Sequence, residues 1–117
     1  MTVSDYLEQI KQQYPNIRPY QEENDLEWWN QGLDMIEAGR LDEAEEIFKK
    51  LVLAQPEHSD GFNGLGLVYE KKGDQTKAAL FLQEAISRAE QMVKDGDMDV
   101  ELLDMIRADL TRVRATS

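Results

Sequence analysis

The chain of 117 residues contains no cysteine. Disulfides and thiolate metal sites are therefore excluded, and the fold must rest on a hydrophobic core. It has one histidine, His58, so a zinc site built from paired histidines is excluded too. Bases are scarce: 13 Lys and Arg stand against 24 Asp and Glu, a net charge of −11. Such a chain repels phosphate backbones and anionic membranes, so neither nucleic acid nor membrane is expected as a partner. No apolar run approaches the ~18 residues that a bilayer-spanning helix needs. The start, Met1 to Asp5, lacks the basic-then-apolar form of a secretory signal. With the missing cysteines, this leads us to expect a cytoplasmic protein. The 41% of apolar residues is enough for one core, and the length suits one ordinary domain of roughly 100–150 residues.

The acids are unevenly spread. Residues 25–58 carry nine acids and three bases, yet these acids alternate with apolar residues at helical spacing, as on a solvated helix face. The same stretch begins an internal repeat. Gly32 and Gly66 lie 34 residues apart, as do Leu33 and Leu67, Gly39 and Gly73, and Ala44 and Ala78. Large apolar residues keep the register: Trp28 with Phe62, Met35 with Tyr69, Phe48 with Leu82, Val52 with Ile86.

Each unit reads as a helical hairpin. In the first, Asn24 caps a helix opening at Asp25, with Glu27 completing a capping box, and Gly39 ends it. A second helix opens at Asp42 and stops before Pro56. In the second unit a helix over about 60–72 is followed by the Gly73-Asp74 turn. The next helix starts near Gln75 or Thr76. Glu90 stands where a second proline would fall, so that helix runs on to about Lys94, with Gly96 ending it. Residues 98–114 give a last amphipathic helix on Leu103, Ile106, Leu110 and Val113. Residues 3–14 give a short first helix with Val3, Leu7, Ile10 and Tyr14 on one side, joined on by the Pro15–Tyr20 connector. The mid-helix glycines imply two helices in close approach. A Gly there costs about 1 kcal/mol against Ala. Gly32 lies beside Trp28 and Gly66 beside Phe62, while Ala44 and Ala78 supply the opposing small surface and Phe48 and Leu82, four residues on, supply the bulk.

These residues resemble the tetratricopeptide repeat, with its pattern W-x2-L-G-x2-Y, A-x3-F, P on a period of about 34 residues. The first unit has Trp28, Gln31-Gly32, Met35, Ala44, Phe48 and Pro56; the second has Phe62, Leu65-Gly66, Tyr69, Ala78 and Leu82. Gln31 and Glu90 depart from the pattern. The resemblance implies an all-α right-handed superhelix of two hairpins. The expected divisions are an N-terminal helix and connector (1–24), two repeats (25–58 and 59–94) and a capping helix (95–117). It also implies that the first helix of each unit lines a concave groove. By spacing, those positions are Leu26, Trp29, Leu33 and Ile36 in the first unit, and Asp60, Asn63, Leu67 and Glu70 in the second.

Trp28 is expected in the core, against its hairpin partner; Trp29, about 100° away on the helix, is expected in the groove. An apolar stripe of Leu26, Trp29, Leu33 and Ile36 requires an occupant. Three are open: the chain's own N-terminal helix, a helix or peptide of a partner, or a second copy in a homodimer. Rim acids such as Asp60 and Glu70 favour a neutral or basic partner. One family subtype grips C-terminal carboxylates with Lys and Asn; only Asn63 suits that role here, which disfavours it.

No catalytic constellation is apparent. Gly61-x2-Gly64-x-Gly66 falls inside a helix with no strand before it, so it is no phosphate loop. Asp95, Asp97 and Asp99 alternate as in a calcium loop, but Val100 and Ile106 occupy positions that need Gly and Glu. We therefore expect no enzyme, cofactor or metal. The expected function is a protein-binding module, a small adaptor or assembly factor, monomeric or homodimeric; the alternative is a structural homodimer using the same apolar face.

Overall fold

The computed structural model describes residues 2–20 and 25–116, with the side chains of Asp25 and Leu26 excepted. The fold is all-α. Among the described residues the six helices are α1 (Val3–Gln13), α2 (Asp25–Glu37), α3 (Leu41–Ala54), α4 (Asp60–Lys72), α5 (Gln75–Lys94) and α6 (Val100–Ala115). Helices α2 to α6 pack each on the next in chain order, as successive hairpins.

The helix ends follow local chemistry. Thr2 and Asp5 form a reciprocal capping box on α1: the Thr2 hydroxyl accepts from the Asp5 amide at 3.1 Å and the Asp5 carboxylate accepts from the Thr2 amide at 3.3 Å. Gly39 and Gly73 end α2 and α4 at φ of 77° and 85°, a conformation that costs a residue with a Cβ. Asp74 caps α5 by accepting from the Lys77 amide at 3.0 Å. Helix α3 departs from expectation: it starts at Leu41, one residue before Asp42, and its cap position is Arg40, which makes no side-chain cap bond. The proposed Asn24 cap of α2 lies outside the described residues.

The core runs the length of the array. Ala44, Phe48, Phe62, Leu65, Ala78, Phe81 and Leu82 are fully buried. The small-against-large pairing expected at Gly66 is present, because a Cβ there would stand 2.6 Å from Leu82 Cγ. At Gly32 the expected bulk is likewise present, as the ring of Phe48 on α3. Trp28 is corrected: it is half-buried, whereas Phe62, its counterpart, is fully buried. The reason is topological. Helix α4 has packed helices on both sides, while α1 packs on α3 and α5 and leaves α2 without a preceding layer.

The docking of α1 rests on Tyr6 and Ile10, 5% and 1% exposed. The Tyr6 ring meets Phe81 edge-on at 4.7 Å, and its hydroxyl lies 3.3 Å from that of Tyr69. Burial, then the Tyr69 hydroxyl beside it, raises the Tyr6 pKa. Part of the acidity of α3 is spent internally. Lys72 on α4 reaches Asp42 at 2.7 Å and Glu45 at 3.1 Å, and Lys49 reaches Glu45 at 2.9 Å. Partial burial raises the Glu45 pKa, but these two ammonium groups outweigh it and hold the carboxyl below its ordinary range.

Candidate protein-binding face

Helix α4 is the centre of the array and is almost wholly covered. Gly61, Phe62, Gly64, Leu65, Gly66, Val68 and Tyr69 are buried. Between Asp60 and Glu70 only Asp60, Asn63, Leu67 and Glu70 remain half-buried, stepping by three, four and three along one stripe. On α2 the corresponding Trp29, Leu33 and Ile36 are also half-buried. Leu26, the fourth, has its side chain outside the described residues. None of the three is openly exposed, so the expected exposed stripe is corrected to a partly covered one. Part of the cover is internal: Trp29 leans edge-on against Phe48 with ring centroids 5.8 Å apart.

A third stripe, which the sequence reading did not assign, lies on α6. Leu102, Met105, Asp109 and Arg112 step by the same three, four and three, each 42 residues after its counterpart on α4. That offset is eight more than the 34 between the first two units. The register is supported by burial. The α4 residues next to α3 (Gly61, Gly64, Val68) map onto Leu103, Ile106 and Leu110, all buried against the rest of the array. The α4 residues next to α5 (Phe62, Leu65, Gly66, Tyr69) map onto Asp104, Arg107, Ala108 and Thr111, all exposed. Helix α6 thus keeps the register of α4, buried on the side that meets the array and polar on the other. Leu102 and Met105 are 48% and 64% exposed. The signal was present in the spacing, but an offset of 42 is invisible to a search at 34.

The acids of the stripe are corrected as well. Glu70 is not a free rim charge. Arg112 donates to its two oxygens at 2.7 and 2.8 Å, and this holds the Glu70 carboxyl below its ordinary range. Asp60 is also engaged: its amide donates to His58 Nδ1 at 3.1 Å, and its carboxylate lies 3.6 Å from the same nitrogen. Asn63 keeps its Oδ1 buried with no hydrogen-bond partner among the described residues.

Helix α1 does not cover these stripes. Its Tyr6 touches Tyr69, and Tyr69 lies two residues from Leu67, about 200° around the helix. The N-terminal helix is thereby removed as occupant of this face. Burial of Tyr6, which the sequence reading did not single out, explains why: its ring finds Phe81 and Tyr69 on the other side.

Among the described residues no helix is long and apolar enough to cross a membrane, and no three His, Asp or Glu side chains are grouped to hold a metal ion. The tetratricopeptide repeat family model matches residues 30–92, more than half of the chain. The chain belongs to that family. Comparison with curated proteins and with solved structures finds no match. The repeat is a protein–protein interaction module, and this defines the class of function.

Proposed function

We propose that the protein is a non-catalytic adaptor or assembly factor that seats a helix or extended segment of another protein across the stripes of α2, α4 and α6. The observation that carries this reading is the threefold register, which sets Trp29, Asn63 and the exposed Met105, and Leu33, Leu67 and Asp109, at matching positions on α2, α4 and α6, with the exposed Leu102 extending the α6 stripe. Burial of partner side chains on these residues supplies affinity, at roughly 25 cal/mol per Å² of apolar surface removed from water. Glu70 is paired with Arg112 within the chain, so rim charge contributes less than the sequence suggests. A chain of net charge −11 still disfavours an acidic partner, which leaves a neutral or basic segment.

The test is selection of displayed peptides on the full chain, followed by binding of the selected peptides to Leu67→Asp and Leu102→Asp. Both variants must retain the helical circular dichroism of the parent. Loss of binding in both supports the reading; binding unchanged in both removes it. The competing homodimer through the same face predicts a concentration-independent dimer in light scattering, dissociated by either substitution.

A further inference from the structure

A second candidate site lies away from these stripes, where the α3–α4 loop meets the far end of α5. It is a cleft of about 410 Å³ whose lining includes Tyr20, Glu57, Arg88, Met92, Asp95 and Asp97. Its volume is in the range of small-ligand pockets, which run from roughly 300 to 1,000 Å³. One wall exists because α5 continues past Glu90, the position where the pattern of the first unit would place a proline. The continuation carries Met92, Asp95 follows at its C-terminal cap, and Asp97 lies in the turn beyond. The eight extra residues that offset α6 therefore also build this wall.

Tyr20 stands at the mouth. It is 65% exposed, and it is the one non-glycine residue at positive φ (63°) among those described. Its amide donates to the Ala54 carbonyl at 2.8 Å, which holds the backbone in that sparsely populated region. The backbone is thus held at this point, and the ring shares the cleft lining with Glu57. The resident cation, Arg88, bridges to Glu84 at 3.0 Å and lies 4.6 Å over the Phe62 ring, with its Nε buried and without a hydrogen-bond partner among the described residues. The cleft thus offers an aromatic ring, a thioether and the exposed carboxylates of Glu57, Asp95 and Asp97, three acids against one arginine, with Asp95 also accepting from the Gln91 side-chain amide at 3.0 Å.

We propose that this cleft receives an arginine side chain from a peptide segment of a protein partner. A guanidinium is planar and weakly hydrated. It stacks on an aromatic face while its fork of N–H donors meets carboxylates, which an ammonium matches poorly. The aliphatic stem would lie along Met92. Charge complementarity selects this occupant, because the three acids outnumber Arg88 in the lining, so that an anionic side chain is repelled and a neutral one leaves the excess negative charge uncompensated.

The test is an NMR titration of the full ¹⁵N-labelled chain with acetyl-Ala-Arg-Ala-amide and with its citrulline counterpart, which keeps the shape and loses the charge. The expected result is saturable shift changes at the amides of Tyr20, Met92 and Asp97, with the citrulline peptide about tenfold weaker or worse. Tyr20→Ala and Asp97→Asn, each shown to keep the parent's spectrum elsewhere, should each weaken binding several-fold. Leu67→Asp should leave it unchanged, which separates this site from the proposed helix-binding face. Equal binding of the citrulline peptide, indifference to Tyr20→Ala, or unsaturating shifts spread over the acidic surface would overturn the proposal.

Discussion

Arg112 holds Glu70 in a two-pronged grip, its Nε on one carboxylate oxygen at 2.8 Å and a terminal nitrogen on the other at 2.7 Å, across 42 residues of sequence. The pair ties α6 to α4. Arg112 is half exposed and Glu70 only 17% exposed, so screening reduces its worth to about 1 kcal/mol. The Glu70 pKa is lowered in the folded state, first by the Arg112 hydrogen bonds. Its stabilisation is therefore complete above the unfolded-state pKa of about 4.3 and is lost as the pH falls through the lower folded value. Urea denaturation should show Glu70→Gln less stable than the parent at pH 7, with the gap closing as the pH drops below about 4. A gap that stays constant down to pH 3 would show that the pair contributes nothing through charge.

Gly64 leaves room for the Phe48 ring, which a Cβ at that position would overlap. Two effects oppose each other in Gly64→Ala. Helix propensity favours Ala by about 1 kcal/mol. Overpacking a fully buried ring costs about 1–3 kcal/mol or more, and the ring also lies against Gly32, so its retreat is blocked. The net expectation is destabilisation of about 2 kcal/mol, read as a lower denaturation midpoint with unchanged slope. A stabilised variant would mean that α3 and α4 can separate at no cost.

Tyr6 fixes the N-terminal helix to the side of the array away from the α2, α4 and α6 stripes. Tyr6→Phe removes one hydroxyl whose partner, Tyr69, sits near the surface of the core at 7% exposure; it should cost about 1 kcal/mol or less. Tyr6→Ala also removes the ring packed on Phe81 and should cost about 3 kcal/mol. That much exceeds what one short helix gains by docking, so α1 should detach before the array unfolds. Limited proteolysis should then cut within residues 2–20 while residues 25–116 persist. Resistance equal to that of the parent would show that Ile10 alone holds the helix.

The local features of this fold were legible in the sequence. Gly39, Gly73 and Gly96 ended helices because a left-handed residue leaves a local signature. The stripe on α4 was legible because Leu33 and Leu67 set the register. Pairings between distant residues were not. Nothing near Glu70 marks Arg112 as its partner, so the acid read as free. Tyr6 was passed over in favour of Val3, Leu7 and Tyr14, because alternative apolar faces of a short helix look alike until the receiving surface is known. Gly64 read only as part of a failed phosphate loop, since its reason for being glycine is the Phe48 ring on another helix. The position of Trp28 depended on which helices α1 chose to cover, a tertiary question that periodicity does not address.

Glu90 is where the repeat pattern would have a proline, and its replacement tests whether the extension of α5 is structural. Its side chain makes one exposed ion pair, to Arg107 at 3.4 Å. Glu90→Ala removes only that pair and should change stability by no more than about 0.5 kcal/mol. Glu90→Pro removes a backbone hydrogen bond within α5 and sets the proline ring against the carbonyl of Ile86, at a cost of about 3 kcal/mol. The cost should spread, because α6 packs on α5 and Val93 and Met98 close the core beneath the turn. The expected outcome is a lower melting temperature and reduced ellipticity at 222 nm for the proline variant alone. If both variants melt like the parent, residues 91–94 are a frayed end, the α5 wall of the cleft has no rigid support, and α6 is held by Arg112 and its own apolar stripe.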